Sequence, residues 1–156
     1  MSLKAGWLTD DGELSPVTDQ MIQSFSHLTY IVRDLNRLET LLTSSLGARK
    51  IYDSGDGTFS LSKERFFLGG DIWIVTMDGE PLPSRTYNHV AFKIADADYE
   101  TCLQLVNALG LDIHENRPRV EGEGRSIYFH DHDNHLFELH TGTLSERLTR
   151  YGKDAK

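Results

Sequence analysis

Two histidines open stretches of similar β-rich composition, His27 in Phe25-Ser26-His27-Leu28-Thr29-Tyr30-Ile31-Val32 and His89 in Tyr87-Asn88-His89-Val90-Ala91-Phe92-Lys93-Ile94. Near the end of the second half, Glu138 lies in a third such stretch, Leu136-Phe137-Glu138-Leu139-His140. Two imidazoles and a carboxylate are a donor set for Zn²⁺, Mn²⁺, Fe²⁺ or Co²⁺, and three protein donors leave coordination positions open for water or substrate. Side chains alternate along a strand, so His27 shares a face with Thr29 and Ile31, His89 with Ala91, and Glu138 with Leu136 and His140.

Taken singly, a strand histidine is more often a partly buried polar residue than a ligand. The duplication is what joins them, because equivalent positions on two copies meet when modules pair about a twofold axis. Counted by the repeat, the first-half counterpart of Glu138 is Val75 or Thr76, neither a strong ligand. A fourth internal ligand is therefore missing, as in an open catalytic site. The rival segment His130-Asp131-His132-Asp133-Asn134-His135 is rich in donors, but its Asp and Asn content before a strand predicts a tight turn. His135 has the wrong parity to share a face with Glu138, and His140 is the best substitute ligand.

The elements that must position these groups occur twice in the same order. In the first half, Asp34 follows the histidine strand and is placed to cap a helix from Leu35 to Leu46, with Leu35, Leu38, Leu41, Leu42 and Leu46 at helical spacing and Gly47 as its stop. In the second half, Asp96 stands at the same distance from His89, and Leu109-Gly110 matches Leu46-Gly47 with one inserted residue. Strands are expected over Ala48 to Asp53, Thr58 to Ser62, Arg65 to Leu68 and Ile72 to Met77, then over Leu111 to His114, Ser126 to His130 and Leu136 to His140. The expected organisation is an N-terminal extension over 1–20, a first βαβββ module over 21–80, a linker with Pro81 and Pro83 over 81–85, a second module over 86–142, and a C-terminal helix and tail over 143–156. Thr143 and Glu146 have capping-box spacing for that last helix. The fold class is α+β.

Composition narrows the partners. With 156 residues, 38% of them hydrophobic and none in a run long enough for a membrane span, a globular chain without a membrane role is expected. The first residues lack the basic start and apolar stretch of a secretory signal, which predicts a cytoplasmic protein. A net charge of -8 without a basic stripe argues against nucleic acid. The single cysteine, Cys102, excludes an internal disulfide and reads as a buried thiol.

His-Leu-Thr in the first strand, Tyr-Asn-His in its repeat, and Asn134-His135-Leu136-Phe137-Glu138-Leu139-His140 together resemble the vicinal oxygen chelate (glyoxalase-like) superfamily. The stretches from Arg117 to Phe129 and from Gly142 to Leu148 are similar, within it, to the hydrolytic FosX type of fosfomycin-resistance enzymes. The resemblance runs from about Met21 to Tyr151 and leaves the first twenty residues without a counterpart. It implies tandem βαβββ modules in a swapped homodimer and Mn²⁺ held by His27, His89 and Glu138. The implied reaction is hydrolysis of fosfomycin, a small phosphonate-bearing epoxide, to a diol. By the same resemblance Glu64 is the base that activates water, although Lys63-Glu64-Arg65 alone reads as a charged turn. Arg119, Ser126, Tyr128 and Arg147 are the implied substrate contacts, and Thr29, on the face of His27, is placed to orient substrate or the attacking water, while Arg125 reads better as surface charge. Trp73 and Tyr52 are candidates for apolar pocket walls or for core. Competing functions are a thiol transferase acting on fosfomycin, a hydrolase of another small phosphonate or epoxide, another metalloenzyme of the superfamily, and a metal-free drug-binding module.

Overall fold

A computed structural model describes residues 22–57, 61–114 and 121–152. The extension over 1–20, Arg119 and most of the expected strand at Thr58 lie outside the described residues. The first module runs β1 (His27–Val32), α1 (Leu35–Thr40), β2 (Arg49–Asp53), β3 (Glu64–Gly69) and β4 (Ile72–Asp78), with the sheet order β1-β4-β3-β2. The second repeats it as β5 (His89–Lys93), α2 (Tyr99–Ala108), β6 (Asp112–Ile113), β7 (Ser126–His130) and β8 (Leu136–His140), ordered β5-β8-β7-β6. In both sheets the histidine strand pairs parallel with the last strand of its module, and the other pairings are antiparallel. Helix α3 (Leu144–Arg150) closes the described chain with the expected capping box of Thr143 and Glu146.

Local chemistry explains where expectation and structure part. Asp34 caps α1 as expected, its carboxylate accepting from the Asn36 amide at 2.9 Å. The predicted single helix, however, ends as a π-helical turn over Leu41–Ser45, and that wider turn carries the adjacent Leu41 and Leu42 both into the core. Asp96 does not cap the second helix. Its carboxylate accepts from Arg125 Nε at 3.0 Å, a 3₁₀ turn takes Asp96–Asp98, and α2 begins at Tyr99. Leu61 and Ser62 form a bend instead of a strand. The strand expected over Leu111 to His114 shortens to Asp112–Ile113, although the His114 amide still donates to the Tyr128 carbonyl at 2.8 Å.

Each sheet turns one face to a shared core and leaves the other open. Tyr30, Val32, Phe67 and Ile74 from the first sheet and Ile127, Phe129, Phe137 and Leu139 from the second fill that core with Leu38, Leu41, Leu42, Cys102 and Val106 from the helices. Burial of each of the phenylalanines at positions 67, 129 and 137 stabilises the fold by about 2 to 3 kcal/mol. Burial, followed by the nearby Asp98 charge, pushes the Cys102 thiol up, which makes it a packing group and not a nucleophile.

The two modules are pinned where β1 meets β8. Tyr30 stacks on Phe137 with ring centres 5.0 Å apart and meets His135 edge-on. The donor-rich segment before β8 is the tight turn its composition predicts. Asp131 Oδ1 accepts from the Asp133 and His135 amides at 2.9 and 2.8 Å, Asp131 Oδ2 binds His135 Nδ1 at 2.8 Å, and Asn134 sits at φ 69°.

Candidate metal centre and substrate site

Strand register lays the chemistry out in rows on the two open faces. Across the first sheet the rows are His27, Trp73 and Leu68, then Thr29, Val75 and Phe66, then Ile31, Met77 and Glu64. Across the second they are His89, Leu136, His130 and Asp112, then Ala91, Glu138 and Tyr128, then Lys93, His140 and Ser126. Glu138 thus takes the second-row position held by Val75 in the first sheet, where no ligand stands.

The second sheet brings His89, Glu138, Ser126 and Tyr128 together. Glu138 is buried, and its Oε2 lies 2.9 Å from His89 Nε2. The other ring nitrogen of His89, Nδ1, is 2.9 Å from the Tyr87 carbonyl and must donate to it, since a carbonyl only accepts. A neutral His89 therefore carries its lone pair on Nε2, facing a carboxylate oxygen that also has only lone pairs. A proton or a cation has to lie between them, and a histidine fixed by a backbone carbonyl beside a carboxylate is the usual setting of a metal ligand. The donors fit a divalent cation on this ground.

Ser126 tunes the carboxylate. Its hydroxyl donates to Glu138 Oε1 at 2.6 Å and must then accept from His140 Nδ1 at 2.8 Å, so His140 reaches Glu138 through Ser126. Burial by itself pushes the Glu138 carboxyl up, but hydrogen bonds from Ser126 and Tyr128 and the nearby charges of His140 and His89 outweigh it and hold the group below the usual carboxylate range. Glu138 is thereby kept in the anionic form that a metal requires.

The first sheet supplies a different surface. His27 packs on Trp73 with ring centres 4.6 Å apart, and Phe66 joins Trp73 to Tyr52, so both aromatic residues lie on the open face beside the histidine. Glu64 is buried at 9% exposure, and its carboxylate has no hydrogen-bond or ion-pair partner among the described residues. Arg65 does not offset it, because it points to the opposite face and pairs with Glu39 at 2.7 Å. Thr29 lies on the face of His27, one row away. Arg147 lies partly exposed on α3, whereas Arg125 is held by Asp96 and Glu100 and stacks over Tyr99, the structural role expected for it.

Within one chain His27 is not assembled with His89 and Glu138. Among the described residues the only group of three metal donors with all ligand atoms within 4.8 Å is Asp112, His114 and His130. The sequence places His114 and His130 at strand ends, but nothing local says that these two strands pair. The signal that finds the trio is parity, since Asp112, His114 and His130 share one face of paired strands. The Tyr87 carbonyl behind His89 was also invisible, because no side-chain pattern marks a backbone acceptor.

Paired βαβββ modules that present histidine and glutamate from open sheet faces define a metalloprotein of the vicinal oxygen chelate fold. No family model matches the chain. It is 59% identical over 133 residues to the fosfomycin resistance protein FosX of Mesorhizobium japonicum, covering 85% of this chain and 96% of that protein. A mutant FosX of Listeria monocytogenes, solved with Mn(II) and 1S,2S-dihydroxypropylphosphonic acid, superposes with a TM-score of 0.76 at 50% identity over 84% of this chain and 99% of that one. The metallothiol transferase FosB of Staphylococcus saprophyticus is more distant, 34% identical over 86% of this chain and 87% of its own length. The chain belongs to the FosX family of fosfomycin resistance proteins.

Proposed function

We propose that this protein adds water across the epoxide of fosfomycin in a Mn²⁺-dependent reaction, giving a vicinal diol and so resistance to the drug. The observation that carries hydrolysis, as opposed to thiol transfer, is Glu64 on the open face that also bears His27, a largely buried residue whose carboxylate pairs with no other described residue. The greater identity to FosX than to FosB supports the same choice.

In this reading His27, His89 and Glu138 hold the metal, with His27 contributed by a second copy of the chain in a homodimer. Two features support the dimer. His27 is not assembled with the other two donors in one chain, and Phe66, Leu68, Trp73, Val75 and Met77 leave an apolar open face that a second layer has to cover. Residues 21–80 and 86–142 act as the two modules, joined by 81–85, with 1–20 as an extension and 143–156 as the closing helix and tail. No helix among the described residues is long and apolar enough to cross a membrane, and the proposed place of work is the cytoplasm.

A bound divalent cation supplies Lewis-acid polarisation of the epoxide oxygen and charge to offset the phosphonate. Glu64 takes a proton from water as the water oxygen bonds to one ring carbon and the ring C–O bond breaks. The alkoxide oxygen so released takes up a proton from solvent while Glu64 gives its own back to solvent, and the net change is epoxide plus water to diol. Thr29, Arg119 and Arg147 orient the phosphonate, the arginines by paired N–H donors. Ser126 and Tyr128, which flank Glu138, are the remaining substrate contacts in this reading.

Phosphorus NMR of fosfomycin incubated with the Mn²⁺-loaded protein and no thiol tests the reading. Replacement of the substrate signal by that of the diol is expected. A signal that persists until glutathione or bacillithiol is added would instead identify a transferase, and one that persists throughout would leave a binding protein.

A further inference from the structure

The trio Asp112, His114 and His130 lies outside the machinery just described. His130 stands in the row of His89 on the open face, but β8 separates their strands, which puts the two backbones about 10 Å apart. On the far side of His130, the edge strand β6 places Asp112 directly opposite it, and His114 follows two residues later on the same face. His114 Nε2 and His130 Nδ1 are 2.8 Å apart, and all three residues can offer ligand atoms within 4.8 Å of one another. Donors around a tetrahedral Zn²⁺ are separated by about 3.3 Å, so small side-chain rotations suffice.

Two further observations point to a ligand. His130 is only 4% exposed, and its Nε2, the ring nitrogen that His114 does not engage, has no hydrogen-bond partner among the described residues, an uncommon state for a buried polar atom. Asp112 binds Arg85 through Oδ2, which leaves Oδ1 for a cation.

We propose that Asp112, His114 and His130 form a second divalent-metal site, suited to Zn²⁺ and separate from the catalytic centre. Two imidazoles and one carboxylate match its donor preference. Bound there, the ion ties the two-residue strand β6 to β7 at the sheet edge, where one backbone ladder and the Arg85 pair otherwise hold it.

Equilibrium dialysis of the metal-free protein against Zn²⁺ tests the site, with bound metal measured by mass spectrometry. Both substitutions in the double variant Asp112→Asn, His114→Gln fall on exposed residues, leaving buried His130 in place. Two equivalents per chain are expected for the parent and one for the variant, which should keep the parent's circular dichroism and Mn²⁺-dependent hydrolysis. Arg85→Ala, which removes a competing cation, should tighten the weaker class of site severalfold. Equal stoichiometry in parent and double variant would overturn the proposal, as would an affinity indifferent to Arg85.

Discussion

The two open sheet faces share a topology and a register but not a chemistry. At equivalent positions the second sheet carries Glu138 and the first Val75, each beside the strand that bears a histidine. Around Glu138 the second sheet gathers Ser126, Tyr128, His140 and His89, a polar network that holds an anion ionised despite burial. Around Val75 the first gathers Phe66, Leu68, Trp73 and Met77, and Glu64, the one carboxylate on that face among the described residues, sits at the edge of the apolar patch with no partner among them. In the proposed reading a duplicated module divides two tasks that conflict in a single environment. A ligand carboxylate needs hydrogen bonds that favour its charge, whereas a general base needs a site where taking up a proton is not penalised.

Swapping the fates of the two carboxylates puts that division under the greatest strain. Glu138→Gln should abolish tight Mn²⁺ binding and activity together, whereas Glu64→Gln should leave Mn²⁺ and fosfomycin binding in place and lower kcat by on the order of 10² to 10⁴. Calorimetric metal titration beside phosphorus NMR separates these outcomes, and full hydrolysis by Glu64→Gln would remove the base from its role.

The backbone crossing next to the second face offers a sharper structural contrast. Gly124 and Gly70 both have positive φ, 79° and 58°, but a Cβ on Gly124 would lie 2.4 Å from the Gly142 amide nitrogen while one on Gly70 meets nothing within 4 Å. Gly70→Ala should cost about 1 to 2 kcal/mol from backbone strain alone. Gly124→Ala adds a clash with main chain that cannot turn aside, so its cost in urea melts should exceed that by about 1 to 3 kcal/mol. Equal costs would mean that the crossing opens freely.

Ser126→Ala is the mildest of these changes and probes the polar network itself. Loss of one of the hydrogen bonds that lower the Glu138 pKa should move the acid limb of Mn²⁺ binding to higher pH and weaken affinity by about 10- to 100-fold at neutrality. In the metal-free protein the depressed carboxyl contributes stability that is fully present above its ordinary value of 4.5 and is lost as the pH falls through the lower folded value. Ser126→Ala should shrink that contribution, read as a smaller drop in melting temperature on acidification.

Much of this is legible in the sequence. Parity placed His27 with Thr29 and His89 with Ala91, because alternation along a strand is a local property that neighbours do not alter. The β7 and β8 spans and the Thr143 cap of α3 were equally readable, since their signals lie within a few residues. Asp96 misled for the opposite reason. Its capping signal is local, but Arg125, 29 residues away, claims its carboxylate. The lone pairs that face each other between His89 and Glu138 depend on the Tyr87 carbonyl, and the Asp112, His114 and His130 trio depends on which edge strand pairs with β7.

The sequence by itself determined the two modules, the faces of their strands and the residue types able to hold a metal and move a proton, because periodicity and composition act over short spans. Tertiary structure alone decided which donors meet. Strand order and register bring His89 to Glu138 and leave His27 on another sheet, and hydrogen bonds between residues far apart in the chain set the charge that Glu138 carries.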